Sequence, residues 1–560
     1  MKKLFFISLA VVLLFSLVIT SCKEETSSTT SAPAPKPTST APAPSTTVPK
    51  PTAAPEAPKP TMTATAVPAP VVEKPEGTLK IALATFSYET FDQIVGESFW
   101  GASIYDPIIT YDPKGNIIGG ACESYSLSPD GNTWTFKVRK GIKWHDGTPL
   151  TSADVMFSVQ HFSDKASTNP WSPYLSRNLA SMNCPDPDTF VYVTNKAEPP
   201  LVVPFAACYV IPKDYFEKVG QDYFRKHPMG SGPWKYVDNS LKSGEKVEFV
   251  ANTEHWRVVP QFERMIQYLI PEVSTQVAAL KSGEIDIIAG LDTDRFIELR
   301  DAGYQLVEVP RPNLNNIAFP GTWITDGPTS DIRVRQAMSY SINRQEICDT
   351  YFKGLAYPGG RWFMDEYTWG WDPSWKADPY DLEKAKALLA EANYAEKWAD
   401  YEIIINIQVG GTMAVDLMQI CASYWAKVGI KTKIVMNDAM VQLGLIFVRG
   451  TASAGSVWPW MNFPSAPNTV YHCANMYTST GVHSTGNDPK ADELYTKATT
   501  ELDPAKAVEY WRDFQNYGYD MWVCVGLVEA QTFWVVSHQV ESIDGMWIGA
   551  WGYAGVKRAK

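Results

Sequence analysis

Ser128-Pro129-Asp130-Gly131-Asn132-Thr133-Trp134-Thr135-Phe136-Lys137-Val138-Arg139-Lys140-Gly141-Ile142-Lys143-Trp144-His145-Asp146-Gly147-Thr148-Pro149-Leu150-Thr151-Ser152-Ala153-Asp154-Val155 is the stretch from which the fold is read. Pro129-Asp130-Gly131-Asn132 has hairpin-turn chemistry, so Tyr125–Leu127 and Thr133–Arg139 are expected to pair as antiparallel strands. In the second strand Trp134, Phe136 and Val138 share one face, and Thr135, Lys137 and Arg139 the other. Ile142 and Trp144 continue that pattern to a second turn at Asp146-Gly147. A helix should follow at once. Thr151 and Asp154 are spaced as a capping box, and Leu150 with Val155 as the hydrophobic staple around it.

Outward from this core the pattern stays mixed α and β. Gly77-Thr78-Leu79-Lys80-Ile81-Ala82-Leu83 alternates as a strand, and Val277, Leu280 and Gly283 mark a helix and its C-terminal stop. Asp381 to Leu389 is an amphipathic helix with Leu382, Ala385 and Leu389 on one side. No period of 20 to 50 residues recurs, which excludes a solenoid or propeller. Of the 560 residues, 49 are Lys or Arg and 61 Asp or Glu, a net charge of −12 that argues against nucleic acid as a partner. Eight scattered cysteines do not make a disulfide framework. Cys184 with Cys208 is the one local pair that a bridge would suit.

Only the N-terminus is apolar enough to meet a membrane. Met1-Lys2-Lys3 is followed by an apolar run from Leu4 to Ile19, and then by Thr20-Ser21-Cys22. This reads as a secretory signal over residues 1–21. The small residues before Cys22 resemble a bacterial lipobox, which implies an acylated Cys22 at the mature N-terminus. Residues 22–76 then form a Pro/Ser/Thr/Ala-rich tether without aromatic residues, Leu, Ile or Gly after Cys22. Such a segment buries too little apolar surface to offset its ordering entropy, so disorder is expected. Every Trp, Tyr and Phe beyond the signal lies after Gly77, where the folded part should begin.

Several segments together resemble the solute-binding proteins of peptide-type ABC importers, family 5. They are Tyr105-Asp106-Pro107, the stretch from Ser128 to Val155, Gly230-Ser231-Gly232-Pro233-Trp234 and Leu280-Lys281-Ser282-Gly283-Glu284-Ile285-Asp286. Asp331-Ile332-Arg333-Val334-Arg335-Gln336-Ala337-Met338 follows, with Ile342-Asn343-Arg344, then Leu382 to Ala392 and Trp425-Ala426-Lys427-Val428-Gly429-Ile430. Asn343 stands where the family usually has Asp. The resemblance implies a two-lobed α/β periplasmic-binding-protein fold of type II, its first lobe enlarged by an accessory subdomain. Lobe one would take residues 77–310, lobe two 311–522, and 523–560 would return to lobe one. It implies a monomer at the extracytoplasmic face of the bacterial membrane, held there by its lipid, that captures a peptide or peptide-like solute. An ABC permease and its ATPase subunits would be the partners, with no cofactor and no catalysis.

A cleft that closes on a solute needs large adaptable walls and a few fixed polar groups. Ser456-Val457-Trp458-Pro459-Trp460-Met461-Asn462-Phe463 is the richest aromatic cluster outside the family motifs, which makes Trp458 and Trp460 candidate ligand contacts. Phe86, Ser87 and Tyr88 offer a second wall. Arg361-Trp362-Phe363 offers a third, in which Arg361 suits a carboxylate and Trp362 a flat face. Peptide-binding relatives carry an Asp for the peptide amine in the corresponding lobe-two loop. Here no acid lies between Arg449 and Asp488, so an oligosaccharide or other neutral solute is the alternative. A tethered surface hydrolase or a sensor-type binding module remains as a further reading. No Gly-x-Ser-x-Gly, His-Glu-x-x-His, Gly-x4-Gly-Lys-Ser/Thr or Cys-x-x-Cys occurs, and His145-Asp146 sits in a turn that Asp-Gly explains by itself. His472, Cys473 and His483 lack companions at metal-ligand spacing, so no metal site is expected.

Overall fold

The computed structural model describes residues 61–62, 74–86, 88–95, 100–112, 116–169, 171–309, 312–360, 368–372, 374–409, 412–447, 454–462, 469–481, 483, 485–544 and 552–560. The signal and Cys22 lie outside them. Among the described residues no helix is long and apolar enough to cross a membrane.

The first lobe is built on a seven-stranded mixed sheet in the order Gln305–Glu308, Phe533–Val536, Ile287–Ala289, Thr78–Leu83, Arg264–Leu269, Lys246–Ala251, Trp234–Tyr236. Thr78–Leu83 runs parallel to both of its neighbours. Its parallel entry into Ile287–Ala289 is supplied by the helix Val273–Ser282, which stops at Gly283 in the left-handed conformation (φ 77°). A five-stranded antiparallel sheet forms the accessory subdomain: Thr61–Met62, Cys122–Leu127, Thr133–Val138, Thr189–Thr194, Leu179–Asp186. The expected hairpin is there, with Trp134, Phe136 and Val138 buried on one face. The capped helix spans Ser152–Phe162, and the Thr151 N–H donates to Asp154 Oδ2 at 2.9 Å.

The second lobe carries a four-stranded antiparallel sheet in the order Ala356–Pro358, Cys524–Ala530, Asn313–Ala318, Trp458–Asn462. Backbone bonds from Asn406 N to Val457 O (2.9 Å) and from Val457 N to Ile404 O (2.8 Å) join it to the parallel pair Glu402–Gln408 and Lys431–Asn437. Asn343 caps the helix Arg344–Thr350 by accepting from Glu346 N, so the amide does the work a carboxylate would do there.

Three expectations change. The chain does not return to lobe one at 523, because Cys524–Ala530 still pairs with Asn313–Ala318. The crossing falls at Gln531 and Thr532, and Thr532 O accepts from Val309 N at 2.8 Å, so the two interlobe connections run side by side. The tether is not structureless up to 76. Pro75 is buried, Glu76 N donates to Gln261 O at 3.0 Å, and Thr61–Met62 is a strand. Cys184 and Cys208 are both free thiols. Cys184 faces the helix Ser152–Phe162 and donates to Ser152 O at 3.1 Å, whereas Cys208 is buried behind the helix Val202–Ala207.

Candidate functional site

The lobe-two sheet has two different faces. Ile317, Val457, Val525 and Leu527 are buried together with the helices Ile332–Tyr340 and Thr412–Ala426. Ala318, Trp458 and Cys524 belong to a second buried cluster. That cluster continues through Cys473, Tyr477, Trp511 and Phe514 of lobe two into Trp171, Tyr174, Trp134 and Phe136 of the accessory subdomain. The site candidates on this sheet therefore lie on the side shared by both lobes.

Strand register fixes how the two tryptophans are presented. Trp458 is opposite Ala318 and Trp460 opposite Asn316, so they are two residues apart on one face. Their environments differ all the same. Trp458 is fully buried, and its indole N–H has no hydrogen-bond partner among the described residues. Trp460 is half-buried and meets the His483 ring edge to face, with centroids 4.9 Å apart and planes at 83°. His483 N donates to Asn475 O at 3.2 Å, and Asn475 Oδ1 accepts from the Tyr174 hydroxyl at 2.9 Å. Tyr174 thus reaches from the subdomain helix Ser172–Ser176 to the lobe-two helix Thr469–Tyr477. Together Tyr174, Asn475, His483 and Trp460 join the subdomain to lobe two through aromatic rings and polar side chains.

Tyr174 and Asn475 are not among the residues singled out from the sequence, and His483 is weighed there only as a metal ligand. The contact between Tyr174 and Asn475 spans 301 positions, and neither residue sits in a motif. Tyr88 is 46 % exposed on the loop after Thr78–Leu83, and no described contact joins it to Trp458 or Trp460. Phe86 is core, packed on Trp100 at 5.3 Å. Ser87, Arg361, Trp362 and Phe363 lie outside the described residues. The chain enters that last stretch from Gly359 N bonded to Leu527 O (3.0 Å), and beyond it Trp369 is buried in the shared cluster.

His145 and Asp146 do not form an acid–base pair. Asp146 Oδ1 accepts from Thr148 N and Oγ1, closing the turn. His145 Nε2 donates to Gly232 O at 3.0 Å while its Nδ1 accepts from Gly230 N at 3.3 Å, which fixes a neutral ring. Burial lowers its pKa to about 4, helped by Lys235 and His255 and opposed by the Gly232 bond and Asp106. The unfolded ring takes up a proton near pH 6.5 and the folded ring only near 4. Its contribution to stability is therefore complete above pH 6.5 and lost as the pH falls toward 4. The urea midpoint of the wild type should drop more steeply over that interval than that of His145→Asn.

The family of bacterial extracellular solute-binding proteins, family 5 (Middle), matches residues 116–481. The chain belongs to this family. Among curated relatives, heme-binding protein A of Haemophilus influenzae is 27 % identical over 368 residues, covering 60 % of this chain and 66 % of the relative. The dipeptide-binding protein of Escherichia coli is 25 % identical over 348 residues, covering 58 % and 64 %. In both cases the match spans less than two thirds of the relative's own length. Among solved structures, the ABC transporter substrate-binding protein CtaP from Listeria monocytogenes superposes with a TM-score of 0.75 at 19 % identity. That superposition covers 87 % of this chain and all of CtaP, a likeness of fold. The family-5 motifs Tyr105-Asp106-Pro107 and Gly230-Ser231-Gly232 now have a physical role, since Ser231 Oγ donates to the buried Asp106 at 2.9 Å. A Cβ on Gly230 or Gly232 would lie 2.0 or 2.6 Å from Ile104 O, so the turn admits only glycine there.

Proposed function

We propose that this family-5 protein is the solute-capturing subunit of an ABC importer, a binding protein rather than an enzyme. It is exported by the signal at residues 1–21, anchored through lipid on Cys22, and works as a monomer outside the cytoplasmic membrane. A solute bridging the lobes favours the closed form by its differential affinity for closed over open. The closed protein then delivers it to the permease, with the ATPase subunits driving transport. The observation that carries this reading is the Tyr174–Asn475 bond beside Trp460, a polar and aromatic junction made by both lobes of a family-5 chain.

The solute is a peptide or a peptide-like compound. A second reading, a neutral solute such as an oligosaccharide, is favoured by the sequence from Arg449 to Asp488, which holds Trp458 and Trp460 but no acid before Asp488 to pair with an amine. A thermal-shift screen of the full chain in detergent separates the two, using free peptides, N-acetylated peptides, oligosaccharides and heme. A ligand at about 100 times its dissociation constant adds about 2.7 kcal/mol, a clear shift. Hits among free peptides support the first reading and require another partner for the amine. Hits confined to acetylated peptides or sugars favour neutral recognition. No shift with any panel, at saturating concentrations, counts against solute capture of these classes.

A further inference from the structure

The accessory sheet ends in a strand that would be open if the fold began at Lys74. Cys122–Leu127 pairs on one side with Thr133–Val138; on the other, Cys122 N donates to Ile108 O at 2.8 Å, and among the described residues Tyr125 and Ser126 pair with Thr61–Met62. The register is antiparallel, Thr61 opposite Ser126 and Met62 opposite Tyr125. An uncovered edge of this kind presents a row of backbone donors and acceptors to any passing chain.

The sequence around the pairing residues suits the position. From Pro33 to Pro75 prolines interrupt the tether every few residues, and the longest proline-free run is Thr61-Met62-Thr63-Ala64-Thr65-Ala66-Val67. Proline has no N–H for a ladder, so a strand can start after Pro60 and must end before Pro68. Thr61, Thr63, Thr65 and Val67 are β-branched at alternate positions, a pattern with strand propensity and found nowhere else in the tether. Met62 is the tether's one methionine.

We propose that Thr61 and Met62 form a built-in edge strand that fastens the tether to the accessory subdomain and covers Tyr125 and Ser126. The tether is then first fastened at Thr61 rather than at Glu76, so the binding domain hangs from its subdomain rather than from the strand Thr78–Leu83. The inference is independent of which solute is bound.

Hydrogen exchange of the full chain in detergent tests it. In wild-type protein the outward amides of Ser124–Leu127 should be protected, and Met62→Pro should speed their exchange about tenfold or more by removing a donor and disfavouring the pairing. Thr133–Val138, inside the sheet, should keep its wild-type rate and so report intact folding. A proline placed elsewhere in the tether, Ala53→Pro, should change neither strand. A chain lacking residues 61–67 should reproduce the Met62→Pro result, which guards against a local defect of that variant. Equal exchange of Ser124–Leu127 in the wild type and the deletion would overturn the proposal, as would equal acceleration by Ala53→Pro.

Discussion

Replacing Asp106 with Ala should cost about 3–5 kcal/mol of folding stability, the penalty for removing one member of a buried ionic cluster. The carboxylate is 1 % exposed. It accepts from Ser231 Oγ at 2.9 Å, from Trp256 Nε1 at 3.1 Å and from His255 Nε2 at 3.3 Å, and Arg257 Nη2 stands 3.9 Å away. Arg139 lies over the Trp256 ring at 4.3 Å, tying the subdomain hairpin to the same cluster. Burial alone would raise the carboxyl's pKa. The charge and hydrogen bond of His255, with Arg257 and Ser231, outweigh it and hold Asp106 below the usual carboxylate range. A depressed carboxylate stabilises the fold at pH values above its unfolded pKa, near 4, and that contribution is lost as the pH falls through the lower folded value. Urea unfolding followed by tryptophan fluorescence at pH 7 should show the full loss for Asp106→Ala. Asp106→Asn should lose less, since its carbonyl oxygen can still accept from Ser231 or Trp256. Wild-type stability in Asp106→Ala would mean that the cluster contributes nothing net, as some buried ion pairs do.

The residues of that cluster illustrate what was legible in the sequence. The hairpin at Pro129–Asn132, the cap at Thr151 and the stop at Gly283 are local devices, each decided within about five residues, and all three formed. Gly230 and Gly232 belong to a segment that carries the family resemblance, but the reason for them is non-local, the passage of the chain against Ile104 O. The second interlobe crossing was placed too early because Cys524–Ala530 is apolar except for Glu529 and would fit a buried strand in either lobe. Its partner, Asn313–Ala318, is some 200 residues away, and only pairing decides between them. The tether's strand was hidden by composition, since an average over residues 22–76 conceals the proline-free run at 61–67. The candidate site was legible only on its lobe-two strand. Tyr174 and Asn475 come together because two lobes meet, and no period or spacing in one segment records that.

Trp458 and Trp460 should separate cleanly on substitution, although the sequence presents them as equivalent. Alternation places both on one face of Trp458–Asn462, but depth along that face is set by what packs on it from elsewhere. Trp458 lies where Ala318, Cys473 and Cys524 are also completely or almost completely buried. Trp458→Ala removes a large ring from a close-packed cluster, and the cavity should cost about 3–5 kcal/mol. The unpaired indole N–H takes a little off that figure, because a buried donor without a partner is itself unfavourable. Trp458→Phe, which keeps most of the ring and deletes the donor, should therefore be much milder. Trp460 sits further along the strand, half-buried, with His483 against its ring. Trp460→Ala should leave the urea midpoint of the empty protein within about 1 kcal/mol of wild type while weakening solute binding about tenfold or more. Binding is measured by calorimetric titration with the solute that gives the thermal shift. Wild-type affinity in Trp460→Ala would remove this residue from the ligand wall, and wild-type stability in Trp458→Ala would move Trp458 out of the core and back toward the solute.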